Sequence, residues 1–113
     1  MNMTQIQTSF GELKILYKEN KKPLIEHLVF NKSGRAHQHP EYESFFVISG
    51  KGKIYSGENI YDVEPGDLVS IPPKTKHWME PEGEEPLIGL LWYHQTKLQR
   101  PQPNKKQETE DSL

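Results

Sequence analysis

From Leu13 to Tyr93 the chain is a succession of short apolar stretches, cut by glycine, proline and asparagine at close and even intervals. Nowhere do apolar residues recur at i, i+3, i+4 and i+7 for long enough to build a helix, whereas short runs bounded by turn formers are the mark of strands. The runs are Leu13–Tyr17, Pro23–Phe30, Ser44–Ser49, Lys53–Ser56, Ile60–Val63, Leu68–Ile71, Lys76–Glu80 and Pro86–Tyr93. Gly50-Lys51-Gly52 reads as the turn of a hairpin between the third and fourth, and Gly57-Glu58-Asn59 as the next turn. Pro65-Gly66-Asp67 is a stronger signal still, because proline presets φ at the first central position of a turn and glycine accepts a positive φ at the second. Strands spaced in this way predict an all-β sandwich or barrel.

A chain of 113 residues is expected to form one folded unit, here residues 1–95. Residues 96–113 (TKLQRPQPNKKQETEDSL) have no apolar face to bury and are expected to be disordered. That tail accounts for much of the low apolar fraction of 33%. A net charge of −2 with no basic stripe argues against nucleic-acid binding. The absence of cysteine removes disulfide scaffolds, thiolate metal sites and thiol nucleophiles together. No apolar run is long enough to span a bilayer as a helix, and Met1 to Phe10 lacks the apolar segment of a secretory signal. The expectation is a cytoplasmic protein with no membrane partner.

Within this frame His37, His39, Glu43 and His77 stand at spacings that can close on one metal ion. Side chains at i and i+2 of a strand project from the same face, so His37 and His39 can reach a shared point. Pro40 interrupts the strand after them and frees the chain to aim a carboxylate back, either Glu41 or Glu43. Imidazole with carboxylate and no thiolate suits a borderline divalent transition metal, with Fe, Mn, Ni, Co, Cu and Zn all compatible.

The linear pattern His37-x-His39-x3-Glu43-x6-Gly50, then Pro65-Gly66-Asp67 and Pro72-x4-His77, resembles the two motifs of the cupin superfamily. The resemblance covers roughly Pro23 to Tyr93 and implies a double-stranded β-helix, or jelly-roll, barrel. It implies His37, His39, Glu43 and His77 as the metal ligands, and it selects Glu43 over Glu41. The chain departs from the motifs at Lys74, at Pro81 and at Asn31, where the family carries glycine, asparagine and glycine. These departures touch turns rather than ligands.

Three imidazoles and one carboxylate leave coordination positions open, as catalytic rather than closed structural sites do. The expected function is therefore a small metal-dependent enzyme of the dioxygenase, decarboxylase, isomerase or lyase type, acting on a small oxygen-bearing metabolite. A non-catalytic cupin that binds or senses a small molecule through the metal is the alternative, and a metal that only staples the barrel is a third reading. No catalytic acid or base is assigned by the sequence. Phe45 and Met79 share strand parity with Glu43 and His77 and are candidate pocket residues, as are His27 and Glu41. Tyr42, Trp78 and Trp92 are candidates for the core or the pocket wall, and His94 for a structural or exposed position. A homodimer paired through the N-terminal strand is expected, since pairing removes the liability of an exposed sheet edge.

Overall fold

A computed structural model describes residues 4–95; the tail expected to be disordered, residues 96–113, lies outside the described residues. Among the described residues there are nine strands: β1 (Thr4–Gln7), β2 (Gly11–Glu19), β3 (Lys22–Phe30), β4 (Tyr42–Ser49), β5 (Gly52–Ser56), β6 (Asn59–Val63), β7 (Leu68–Ile71), β8 (His77–Pro81) and β9 (Leu87–His94). All pairings between them are antiparallel. Six strands in the order β1-β2-β3-β9-β4-β7 face three in the order β6-β5-β8. This is the jelly-roll barrel that the turn spacing and the motifs predict. Among the described residues no helix is long and apolar enough to cross a membrane.

Alternation decides which side chains fill the interior. Leu28 and Phe30 of β3, Phe45 and Val47 of β4, and Val69 and Ile71 of β7 point inward from the large sheet. Ile54, Val63 and Met79 meet them from the small one. Phe45 is fully buried, edge-on to Phe30 with ring centroids 6.1 Å apart. Its ring lies over Gly89, where any side chain would collide with it and with the Phe46 carbonyl. The opposite parity of the large sheet is also apolar: Phe46 and Ile48 face outward, 36% and 44% exposed.

Two expectations are corrected here. Ser44–Ser49 and Lys53–Ser56 do not form a hairpin, because β4 pairs with β7 and β9 while β5 pairs with β6 and β8. Gly50, at φ +82°, turns the chain from one sheet to the other, with the Pro86 carbonyl packed where a Cβ would stand. The histidine pair does not sit on a regular strand either. It lies in the segment 31–41, where His37 makes only an isolated bridge to His77. Pro40 has no N–H with which to continue a ladder, and it confines the preceding residue to extended backbone. His37 and His39 therefore keep the alternation of a strand without the sheet.

The turn at Pro65-Gly66-Asp67 is as expected: Gly66 has φ +96°, and Asp67 N–H donates to the Glu64 carbonyl at 3.0 Å. The β2–β3 hairpin turns on Asn20 and Lys21, both at positive φ, the geometry whose twist matches that of the flanking strands. Lys74 stands where the family motif carries glycine, and its φ of +57° keeps the left-handed backbone that glycine would supply. An L-residue there costs about 1–2 kcal/mol, part of which glycine would return as entropy lost on folding. Lys74→Gly is accordingly expected to leave the fold intact and to stabilise it by up to about 1 kcal/mol. Denaturant unfolding would check it, and a clear destabilisation would contradict the strain assigned to this turn.

Candidate metal centre

Two strands and one irregular segment deliver the four candidate ligands. Glu43 is the second residue of β4 and faces the barrel interior, 1% exposed. His77 opens β8 and is equally buried. His37 is held beside it by a reciprocal backbone pair, His37 N–H to the His77 carbonyl at 3.1 Å and His77 N–H to the His37 carbonyl at 2.9 Å. The strained Lys74 donates its N–H to the His39 carbonyl at 2.7 Å, which fixes the second imidazole from behind. The result brings one ligand atom from each of His37, His39, Glu43 and His77 within 4.8 Å of one another.

The hydrogen bonds around the rings determine which nitrogens are offered. His37 Nδ1 lies 3.0 Å from the Arg35 carbonyl, His39 Nδ1 3.1 Å from the Glu41 carbonyl, and His77 Nδ1 2.8 Å from the Thr75 carbonyl. A carbonyl oxygen can only accept, so each Nδ1 carries the proton and each Nε2 presents a lone pair. His39 Nε2 is 2.8 Å and His77 Nε2 3.1 Å from the same oxygen, Glu43 Oε1. Two ring lone pairs and a carboxylate thus converge, all of them acceptors, while Glu43 Oε2 is buried without a hydrogen-bond partner among the described residues. Only positive charge at their centre satisfies such a set. A divalent cation supplies it to every member at once, so the residues present fit a metal ion.

The titration directions report the same frustration. Burial pushes the Glu43 carboxyl up, but the charged forms of His39 and His77, which donate Nε2–H to its Oε1, outweigh it and hold the carboxyl below its ordinary range. The bond to Glu43 raises His39 above an ordinary imidazole, against the effect of burial.

Two cavities meet at this point. The larger, about 840 Å³, opens where β2 turns into β3 and where β9 ends; Lys22, Glu26, His39, Glu41 and Tyr93 are among its lining. The smaller, about 180 Å³, is walled by Leu13, Leu28, Phe30, Met79 and Leu91, with Arg35, His37 and Glu43 as polar groups. Glu26 and Tyr93 line both. His39 faces one cavity while His37 and Glu43 face the other, so the ligand cluster lies on their boundary.

The other sequence candidates divide. Met79 lines the smaller cavity, and Glu41 lines the larger one with Oε1 3.5 Å from His39 Nδ1. Phe45 is in the packed core and lines neither. His27 lies on the outer face of β3 with Ile25 and Val29, opposite in parity to the buried Glu26, Leu28 and Phe30, and so is not a pocket residue. Alternation identified its neighbours correctly but not which face was inside. His94 is structural, stacked on Tyr42 with its Nε2 2.9 Å from Ser44 Oγ. Trp78 stacks on Tyr55 at 4.4 Å. The residue that sequence reading missed is Glu26, 6% exposed. A carboxylate at the parity of Leu28 and Phe30 was the available signal.

A model of the cupin domain matches residues 25–93. An acireductone dioxygenase from Methylococcus capsulatus is 38% identical over 61 residues, covering 50% of this chain and 32% of that enzyme. A gentisate 1,2-dioxygenase from a Haloferax species is 33% identical over 54 residues, covering 48% of this chain and 15% of that enzyme. The chain thus spans a third or less of the length of these two curated relatives. A solved cupin-2 domain from Rhodospirillum rubrum superposes with a TM-score of 0.71 at 16% identity, over 91% of this chain and 76% of its own, which is likeness of fold.

Burial, then the negative charge of Glu43, raises the Glu26 carboxyl from 4.5 to about 7, opposed by His39. The folded state therefore holds this proton more tightly than the unfolded chain. The carboxyl lowers stability progressively as pH rises from 4.5 to about 7, and by a constant amount above that. In metal-free protein Glu26→Gln is expected to add on the order of 2 kcal/mol above the upper limit and almost nothing below the lower one. Urea unfolding across that pH range measures it; a gain independent of pH would contradict the buried-carboxyl account.

Proposed function

The chain belongs to the cupin family, and from that premise we propose that it is a metal-dependent enzyme of the dioxygenase type acting on a small oxygen-bearing metabolite. The observation that carries this reading is the convergence of one ligand atom from each of three imidazoles and one buried carboxylate within 4.8 Å, with every Nδ1 near a backbone carbonyl. Such outer partners fix ring tautomer and orientation before the ion arrives. The naming of both dioxygenase relatives supports an oxygenase over a decarboxylase, isomerase or lyase.

His37, His39, Glu43 and His77 would hold the ion. When bound, a divalent iron or a related metal supplies Lewis acidity and a place for dioxygen and substrate oxygens to bind. The chain's own contribution is positioning and exclusion of water. The apolar wall of Leu28, Phe30, Met79 and Leu91 keeps the smaller cavity dry, and Arg35 offers it a cation for an anionic substrate. Tyr93 is held protonated by burial and by the charges of Glu26, Glu43 and Glu41, so its hydroxyl is a donor rather than a phenolate.

The proposal is tested by loading the protein with Fe(II), Ni(II), Mn(II) or Zn(II), counting bound metal by elemental analysis, and following oxygen uptake with acireductone and with gentisate. One ion per chain and metal-dependent uptake with one of the two are expected. His77→Ala is expected to weaken the metal by more than the 10–100-fold typical of losing an outer partner. Affinity is expected to fall as pH drops through the imidazole range, because each ring must be neutral to bind. Tight metal binding without turnover on any oxygen-bearing substrate would replace this reading with a sensing or binding role.

For assembly we propose a homodimer. β1 is a free edge of the large sheet among the described residues, and the outward Phe46 and Ile48 add apolar surface on that sheet. Light scattering is expected to give twice the chain mass of 13.2 kDa, and a concentrated sample that stays monomeric would reject the dimer.

A further inference from the structure

Along β3 the inward positions read Glu26, Leu28 and Phe30, a carboxylate at the head of an apolar file. Glu26 is 6% exposed, and among the described residues it makes no hydrogen bond or ion pair. A buried polar group without a partner is costly, and native folds keep few of them. Of the side chains around the smaller cavity, Leu13, Leu28, Phe30 and Leu91 offer nothing to bond, while Tyr93 and Arg35 line it without a hydrogen bond or ion pair to Glu26. The same carboxyl also lines the larger cavity, so whatever occupies either space meets it. The carboxyl thus presents its bonding capacity to whatever fills these spaces, water or ligand.

We propose that Glu26 binds a hydroxyl group of the substrate, one that is additional to the oxygens presented to the metal ligands. This rests on the metal-site reading above and narrows its substrate class to compact polyhydroxylated acids or their like. A hydroxyl is the one group that serves the carboxyl in both protonation states, donating to the carboxylate and accepting from the acid. An ammonium would have to be stripped of water among aliphatic walls, and the pair it forms with a buried carboxylate recovers that cost poorly. A second carboxylate would face the charges of Glu43 and Glu41. Size agrees: about 180 Å³ is room for about six waters at roughly 30 Å³ each, which admits a molecule of a few carbons. Arg35 on the same cavity wall suits the acid end of such a molecule.

The experiment uses three small acids that share one chelating α-hydroxycarboxylate: lactate, glycerate with one more hydroxyl, and isoserine with an amine in its place. Calorimetry on the zinc-loaded native protein is expected to show glycerate bound about tenfold more tightly than lactate, the worth of one good hydrogen bond to a carboxyl. In Glu26→Leu the ratio of the two affinities is expected to fall to about one, whatever happens to lactate affinity itself, and the zinc count is read alongside. In Glu26→Gln part of it survives, because an amide also bonds a hydroxyl. A residue that merely shaped the pocket would change both acids alike. Equal affinities in the native protein, a preference that persists in Glu26→Leu, or isoserine binding tighter than glycerate would each overturn the assignment. The zinc count separates the two levels: no zinc uptake defeats the metal-site reading and this inference with it, whereas one zinc per chain without a glycerate preference defeats this inference alone.

Discussion

One carboxylate oxygen organises the functional half of this barrel. Glu43 Oε1 stands within hydrogen-bond distance of two imidazole nitrogens, neither of which has a proton to give while its ring is neutral and tied by Nδ1 to a backbone carbonyl. In an interior of low dielectric that arrangement is unstable unless positive charge enters it. The fold resists the obvious relaxations. Glu43 is locked in β4 between β7 and β9, His77 is locked in β8 beside β5, and the two strands belong to opposite sheets. The fit to a cation thus comes from strand pairing far more than from any flexible side-chain choice.

The position of that requirement is equally determined by packing. Phe45 and Val47, the next inward residues of β4, are fully buried, so the open side of Glu43 is toward the smaller cavity. One cavity is small and aliphatic, the other large and polar, and the imidazoles divide between them. Such a boundary lets a ligand keep one end hydrated while the other is stripped of water, the circumstance in which charge and hydrogen bonding act most strongly.

The clustering of the four candidate ligands was legible because histidine and glutamate at fixed offsets are chemically unusual, and the barrel because its turns are written in glycine and proline. What failed to show has physical causes. A turn signal states where the chain reverses, not which sheet it enters next, and so Gly50 passed for a hairpin. Alternation on β3 was visible, but that sheet is apolar on both faces, with Ile25 and Val29 outside and Leu28 and Phe30 inside, which made His27 look interior and Glu26 look exposed. β1 has no apolar run at all, since TQIQ is exposed along its whole length and is held by backbone pairing to β2. The left-handed turn at Lys74 was hidden for another reason: the residue type disagrees with the backbone it adopts.

The anchorage of the three imidazoles is unequal. His77 is rooted in a ladder, whereas the backbone of His37 and His39 is tethered to its surroundings by the bridge to His77 and the single bond from Lys74. Openings of a fold begin where few such bonds must break. Departure of the ion would then proceed by the peeling of residues 31–41 away from β8, taking two ligands out together while the glutamate and the third ring stay behind. The cluster is built as a clasp with one hinged jaw, and an ion held there would exchange at a rate set by that jaw.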